Sequence, residues 1–209
     1  MQILVEHDPT PIVRTMATTL RRAATAPSLN SKLARMRGVA TIKSSTDPQS
    51  VTLTFDRGTV HVHRGVAVNT DVVIELDLAT LNDPTPPKPK ITGAARHPMF
   101  ALALSKVLDP PRGTWAEAAD TFWNFASSGS GMPTGMRVVN TDTGDSHQLG
   151  DADGGVELHG SAHWLVAVLS GNAILGEEIL AGHLNFVGAL QHVAVLTGRS
   201  IEYTLNGGY

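Results

Sequence analysis

Thr92-Gly93-Ala94-Ala95-Arg96-His97 reappears in altered form as Val187-Gly188-Ala189-Leu190-Gln191-His192. Each stretch reads as the end of a strand, a glycine, and the entry to a helix. A glycine suits so sharp a turn because it reaches positive φ without a Cβ penalty. Repeats are sought before motifs, because a missed repeat misassigns the whole fold.

Working outward from these two junctions, the preceding elements also match in order. Asp71-Val72-Val73-Ile74-Glu75-Leu76-Asp77-Leu78 reads as a strand, and so does Gly155-Val156-Glu157-Leu158-His159, with Ile74-Glu75-Leu76 set against Val156-Glu157-Leu158. Further upstream, the turn Asp56-Arg57-Gly58 is set against Asp142-Thr143-Gly144. Ile74 to Ile91 spans 17 positions and Val156 to Phe186 spans 30. The first copy therefore lacks about one helix pair. It carries the loop Asn82-Asp83-Pro84-Thr85-Pro86-Pro87-Lys88-Pro89 instead.

Periodicity supplies the remaining elements. Pro11 to about Ala26 has Ile12, Met16, Leu20 and Ala23 or Ala24 on one face, with Thr10 as N-cap. A short helix follows from about Leu29 to Met36. Ala40–Ser44, Val51–Phe55 and Thr59–His63 alternate with a period of two, the last two as a hairpin. Lys90–Thr92 is a brief strand before a helix over Met99–Leu108. Asp109-Pro110-Pro111 reads as a linker. In the second half Thr114 and Glu117 stand in capping-box spacing before a helix to about Ala126. Met136–Asn140 and, weakly, Ser146–Leu149 are strands. Ser161–Leu169 and about Ile174–Leu180 are helices, His183–Val187 is a strand, and Ala189–Leu196 opens a last helix before a tail with Ile201, Tyr203 and Leu205.

Composition bounds the function. With 209 residues the chain is long enough to bury a core without disulfides, and it contains no cysteine. That removes thiolate nucleophiles and Cys-ligated metals. The net charge of −3 offers no basic field to nucleic acid. No run reaches the roughly 18 apolar residues a membrane span needs, and the start, Met1 to Pro9, has no signal-peptide pattern, so the cytoplasm is the expected location. There is no Gly-x-Ser-x-Gly elbow, phosphate loop or dinucleotide fingerprint, so neither a cofactor nor an enzymatic role is expected. Ser128-Gly129-Ser130-Gly131 lacks the lysine of a phosphate loop, and Glu177-Glu178 reads as an exposed charged turn.

The nine histidines are candidate metal ligands. His61-Val62-His63 puts two imidazoles on one strand face, with Glu75 and Asp77 as third-ligand candidates; this is the basis for a His-metal hydrolase as an alternative function. A weaker set is His159, His163 and Glu157. The plain reading of both is solvent-facing histidine.

The stretches Val156–Gly160, Trp164-Leu165-Val166-Ala167-Val168-Leu169-Ser170-Gly171 and Leu180-Ala181-Gly182-His183-Leu184-Asn185-Phe186-Val187-Gly188, with Asp71–Leu78 and Lys90-Ile91-Thr92-Gly93 in the first half, give the chain a pattern that resembles the sterol carrier protein 2 (SCP2-like) domain family. The resemblance implies an α+β fold of two such units, 1–110 with a shortened helical insert and 111–209 with a complete one. Each would be a mostly antiparallel sheet with helices packed on one face. It further implies non-catalytic binding or carrying of an apolar ligand, a sterol, fatty acid or acyl-CoA, between sheet and helices. In the second unit the lining would be Trp164, Leu165, Val168 and Leu169, then Ile174, Leu175, Ile179 and Leu180, then Phe186. Taken without the resemblance, the same helical stripe is packed core. The family also supplies accessory parts of larger bacterial enzymes, which makes a bacterial assembly module, with a protein partner or a homodimer, the second reading.

Overall fold

The computed structural model describes residues 1–80, 83–110, 113–153 and 155–206. Asn82 of the proline loop, Pro111 of the expected linker and the C-terminal Gly207-Gly208-Tyr209 lie outside the described residues. The chain is α+β and divides into two compact units, Met1–Pro111 and Arg112–Tyr209.

Unit 1 starts with a short strand, β1 (Gln2–Val5), then helices α1 (Pro11–Thr25) and α2 (Pro27–Leu33). The strands β2 (Arg37–Ser44), β3 (Ser50–Asp56), β4 (Thr59–Arg64), β5 (Val72–Leu76) and β6 (Lys90–Thr92) follow, and α3 (Pro98–Leu108) closes the unit. The sheet order is β1-β4-β3-β2-β5-β6. Alternation sets the core face: Val51, Leu53 and Phe55 of β3, with Val60 and Val62 of β4, are buried against Val13, Met16 and Leu20 of α1 and Leu104 of α3. Burying each such side chain contributes about 1.5–3 kcal/mol.

The opposite face is covered where β4 crosses to β5. There Thr41 and Thr52 are fully buried at 0% exposure, although they alternate out of phase with the core. The segment after β4 accounts for it: Thr52 donates to the Gly65 carbonyl (2.7 Å) and accepts from the Ala67 N–H (3.1 Å). Thr70 bonds Thr41 at 3.1 Å. The polar pair is buried because every hydroxyl there has a partner.

Unit 2 contains α4 (Trp115–Ala126), β7 (Gly135–Asn140), β8 (Ser146–Gly150), β9 (Glu157–Gly160), α5 (Ala162–Leu169), α6 (Leu175–Leu180), β10 (Leu184–Val187) and α7 (Leu190–Asn206). Its sheet order is β10-β9-β7-β8. β8–β7–β9–β10 pair antiparallel, parallel and antiparallel in turn, as do β3–β2–β5–β6.

The sheets are mostly antiparallel, as expected, with parallel pairs where β1 meets β4, β2 meets β5 and β7 meets β9. Two expectations change. Asp56–Gly58 joins β3 to β4, whereas Asp142–Gly144 joins β7 to β8, whose pairing corresponds to β2 and β3; the two turns therefore do not occupy like positions. The tail after Leu196 is helical to Asn206, because Leu196, Ser200 and Tyr203 recur on one buried face and Tyr203 packs on Phe122 (5.5 Å) and Phe125 (5.1 Å).

The capping box forms as the spacing requires. Thr114 accepts from the Glu117 N–H (3.2 Å), and Glu117 accepts from the Thr114 N–H (2.8 Å). The Thr114 backbone N–H, and then its hydroxyl, hold the Glu117 carboxyl below the usual carboxylate range. A depressed folded value means that the contribution is present above the ordinary range and fades as pH falls through the folded value. Thr114→Ala is expected to cost about 1 kcal/mol at neutral pH. Chemical denaturation of the two proteins at neutral and acid pH checks this: the gap should narrow in acid, and a gap independent of pH contradicts it.

Candidate functional site

The nominated lining converges in unit 2. α5 is apolar nearly all round, and Trp164, Leu165, Ala167, Val168 and Leu169 are all buried. Its first turn is capped from a distance, since the Asp142 carboxylate accepts from the Ala162 N–H at 2.8 Å. α6 is only six residues long. It lies close to α7: a Cβ on Gly176 would meet the Thr197 methyl at 2.8 Å, and the Leu175 N–H donates to the buried Ser200 hydroxyl at 3.1 Å.

The end of α6 is a Schellman motif. The His183 N–H donates to the Glu178 carbonyl (2.9 Å) and the Gly182 N–H to the Ile179 carbonyl (3.1 Å). The side chains reinforce it. His183 Nδ1 lies 2.7 Å from Glu178, and its ring stacks on Trp164 with centroids 3.9 Å apart and planes 6° apart. His163 meets the same indole edge-on at 5.1 Å. Glu178 is thus a partly buried anchor in the first turn of α6, where a carboxylate suits the helix dipole. Glu178 is not the exposed turn residue expected, whereas Glu177 is exposed.

The nine lining candidates separate into three groups. Leu165, Val168, Leu169 and Leu175 are packed core at 0–2% exposure, with Trp164 at 9%. Ile174, Ile179 and Phe186 are half-buried, and Ile179 and Phe186 pack against that core. Leu180 is 90% exposed. The packed group, Ile179 and Phe186 form one apolar cluster, with α6 at its margin; Leu180 is not part of it.

The described recesses lie elsewhere. One of about 320 Å³ is lined by Thr10, Ile12, Gln49, Ser50, Arg64 and Gly65 in unit 1. Another of about 320 Å³ is lined by Arg137, Gln148, Val156 and Glu157 in unit 2. Within the latter, Glu157 lies 2.7 Å from His159 and 3.7 Å from Arg137. Sequence reasoning pairs His159 with Glu157 but does not find Arg137, which the parallel β7–β9 register places opposite Glu157.

The metal reading of His61 and His63 fails on topology. Both alternate with buried Val60 and Val62 on one face of β4. Glu75 lies on β5, with β3 and β2 between, about 14 Å away at the usual strand spacing. Glu75 instead pairs with Lys43 at 3.0 Å, and that ammonium holds its carboxyl below the usual range. Asp77 follows β5 and accepts from Thr46 at 3.2 Å. Among the described residues no group of three or more His, Asp or Glu side chains is placed to hold a metal ion. Among them, too, no helix is long and apolar enough to cross a membrane.

No protein-family model matches the sequence, and no curated protein matches it either. Three solved structures are similar to it. Sterol carrier protein 2 is 18% identical with a TM-score of 0.35, over 46% of this chain and 91% of that one. A conserved hypothetical protein from Thermus thermophilus is 19% identical with a TM-score of 0.32, over 45% and 83%. The UbiJ-SCP2 ubiquinone synthesis protein is 13% identical with a TM-score of 0.29, over 94% and 95%.

Proposed function

We propose that the protein is a non-catalytic binder of an apolar ligand, held in unit 2 between the sheet and α5–α6, and that the two units are diverged copies of one ancestor with unit 1 structural. The observation that carries the binding reading is one apolar cluster between α5 and α6: Leu165, Val168 and Leu169 of α5 with Leu175 and Ile179 of α6 and Phe186 of β10. Such a wall, with few polar groups, suits an alkyl chain or a sterol, which gains about 0.8 kcal/mol per CH₂ withdrawn from water. α6 is the cover. Six residues are too few for a helix stable by itself; the His183 stack on Trp164 with its Glu178 bond, and the Leu175–Ser200 hydrogen bond to α7, hold it down. Lifting α6 would open the Leu165 and Leu169 floor to a ligand entering past Ile179, Leu180 and Phe186. The like order of pairings in the two sheets supports the common ancestor.

A fluorescent long-chain fatty acid is the probe. Binding in the micromolar range is expected, with native mass spectrometry showing one adduct per chain, and Phe186→Asp should weaken it at least about tenfold. Absence of any fatty-acid or sterol binding at micromolar concentrations overturns the proposal. The second reading, an assembly module, is favoured by the closed packing of the same residues and predicts that negative result.

A further inference from the structure

The unit 2 sheet carries a row of three polar side chains on the face away from its core. Val138 and Leu158 are buried in the core, so Arg137 and Glu157, out of phase with them, stand on the other face. Register aligns them. Arg137 pairs with Gln148 of β8 on one side and with Glu157 of β9 on the other. Neighbours in the row are about 4.8 Å apart at the usual strand spacing. All three line the recess of about 320 Å³. Gly135, Ala152 and Gly155 also line it and take up little of it.

The hydrogen bonding of the row is incomplete in a patterned way. Glu157 Oε2 lies 2.7 Å from His159 Nε2, whereas Oε1 lies 3.7 Å from Arg137 Nη1. An arginine–carboxylate pair kept for its own sake closes to about 2.7–2.9 Å, with the fork on both oxygens. Here the carboxylate is turned to His159. Among the described residues the side-chain N–H donors of Arg137 have no hydrogen-bond partner. Gln148 is fixed by its nitrogen: Nε2 donates to the carbonyls of Leu149 (3.2 Å) and Asp151 (2.8 Å), which leaves Oε1 as an acceptor. A cationic fork with spare donors therefore stands between two side chains with spare acceptors, one of them a carboxylate.

That arrangement selects by charge. A ligand carboxylate on Arg137 stands beside Glu157, and a ligand ammonium on Glu157 stands beside Arg137; either charge by itself is repelled by the second neighbour. A molecule with both charges on one carbon satisfies both. We infer that the recess is itself a binding site and takes a free α-amino acid, its carboxylate on the Arg137 fork and its ammonium on Glu157 Oε1. Gln148 Oε1, on the far side of Arg137, remains for a donor on the ligand's own side chain. The volume is near the lower end of the roughly 300–1,000 Å³ of small-molecule sites, which suits a ligand of this size. His159 is a positioning residue: it holds one oxygen of Glu157 and leaves the other to the ligand. The site is on the sheet face away from the α5 core, so the inference does not rest on apolar binding there.

Heteronuclear NMR of the full chain, with L-alanine as the probe, tests it. L-Alanine should shift the Arg137 Nε–H signal and the amides of β7 and β9, with a dissociation constant of about 1 mM or tighter. Propionate lacks the ammonium and ethylamine lacks the carboxylate. Each should bind the same chain at least about tenfold more weakly. These comparisons use the unaltered protein and so do not depend on how a variant folds. Arg137→Gln and Glu157→Gln should each lower the affinity for L-alanine at least about tenfold and leave a fatty-acid titration unchanged. Propionate binding as tightly as L-alanine overturns the inference, since that pattern belongs to a simple anion site. So does an Arg137 signal unmoved by about 10 mM L-alanine, L-serine and L-glutamine in turn.

Discussion

Gly93→Ala is expected to destabilise unit 1 by about 3 kcal/mol or more, and by more than any other single methyl added at a strand-to-helix junction of this chain. Gly93 has φ +86, where an alanine is strained whatever the surrounding space. A Cβ there would also stand 2.1 Å from the Asp71 carbonyl oxygen and 3.3 Å from the Val72 Cα. Backbone yields only if its bonds yield, and Asp71 is held on two sides. Its N–H donates to the Val39 carbonyl at 2.9 Å, and its carboxylate accepts from the Val39 N–H at 2.8 Å. His97 lies 3.5 Å from the same carboxylate. Gly188, the matching residue of unit 2, faces side chains: a Cβ meets Phe186 at 3.0 Å and Val156 at 3.3 Å. Its φ of +150 still disfavours alanine, but an aromatic ring can turn aside, so Gly188→Ala should cost about 1–2 kcal/mol. Hydrogen exchange read separately over each unit tests the contrast. Equal losses for the two variants would show that the Asp71 backbone gives way freely.

That contrast also marks what the sequence can and cannot convey. The junctions are legible because glycine at a strand end and a helix start are local features. So are β3 and β4, where Val51, Leu53 and Phe55 alternate inward, and the Thr114–Glu117 box, which spans one turn. Pairing partners are not legible. Nothing in Asp71–Leu78 says that it lies beside β2 and not beside β4, and that one fact removes Glu75 from His61 and His63. Nor does periodicity explain Thr52, whose burial depends on a loop that returns over the sheet. β1 has four residues and no turn of its own to announce it. The second half of α7 reads as a tail because Gly198 and Thr197 weaken its helical pattern; the aromatic contacts of Tyr203 with Phe122 and Phe125 hold it regardless. For the lining residues, the sequence places Leu165 to Leu180 on helices without distinguishing floor from rim. Leu165 and Leu180 stand at 0% and 90% exposure, opposite ends of the scale.

Those two leucines give the second large effect. Leu165→Ala is expected to cost about 3 kcal/mol without ligand, within the range measured for buried leucines that leave a cavity. Leu165 is fully enclosed, and its methyl lies 3.6 Å from where a Cβ on Gly160 would stand, so the strand beside it cannot collapse inward cheaply. For a unit of this size the midpoint of thermal unfolding should fall by roughly 12–24 °C. Leu180→Ala should change stability by less than about 0.5 kcal/mol, because an exposed side chain gives up nothing on truncation. Ligand reverses the order of the two effects. A fatty acid bound under α6 fills the space left by Leu165→Ala, and binding to the folded state adds stability that grows with ligand concentration. The penalty should therefore shrink as the fatty acid is added. Leu180→Ala instead loses apolar contact at the entrance, so its affinity falls while its unliganded stability does not. A Leu165→Ala protein whose deficit is indifferent to saturating fatty acid would make the stripe plain core. A Leu180→Ala protein that binds as tightly as the parent would place the entrance elsewhere.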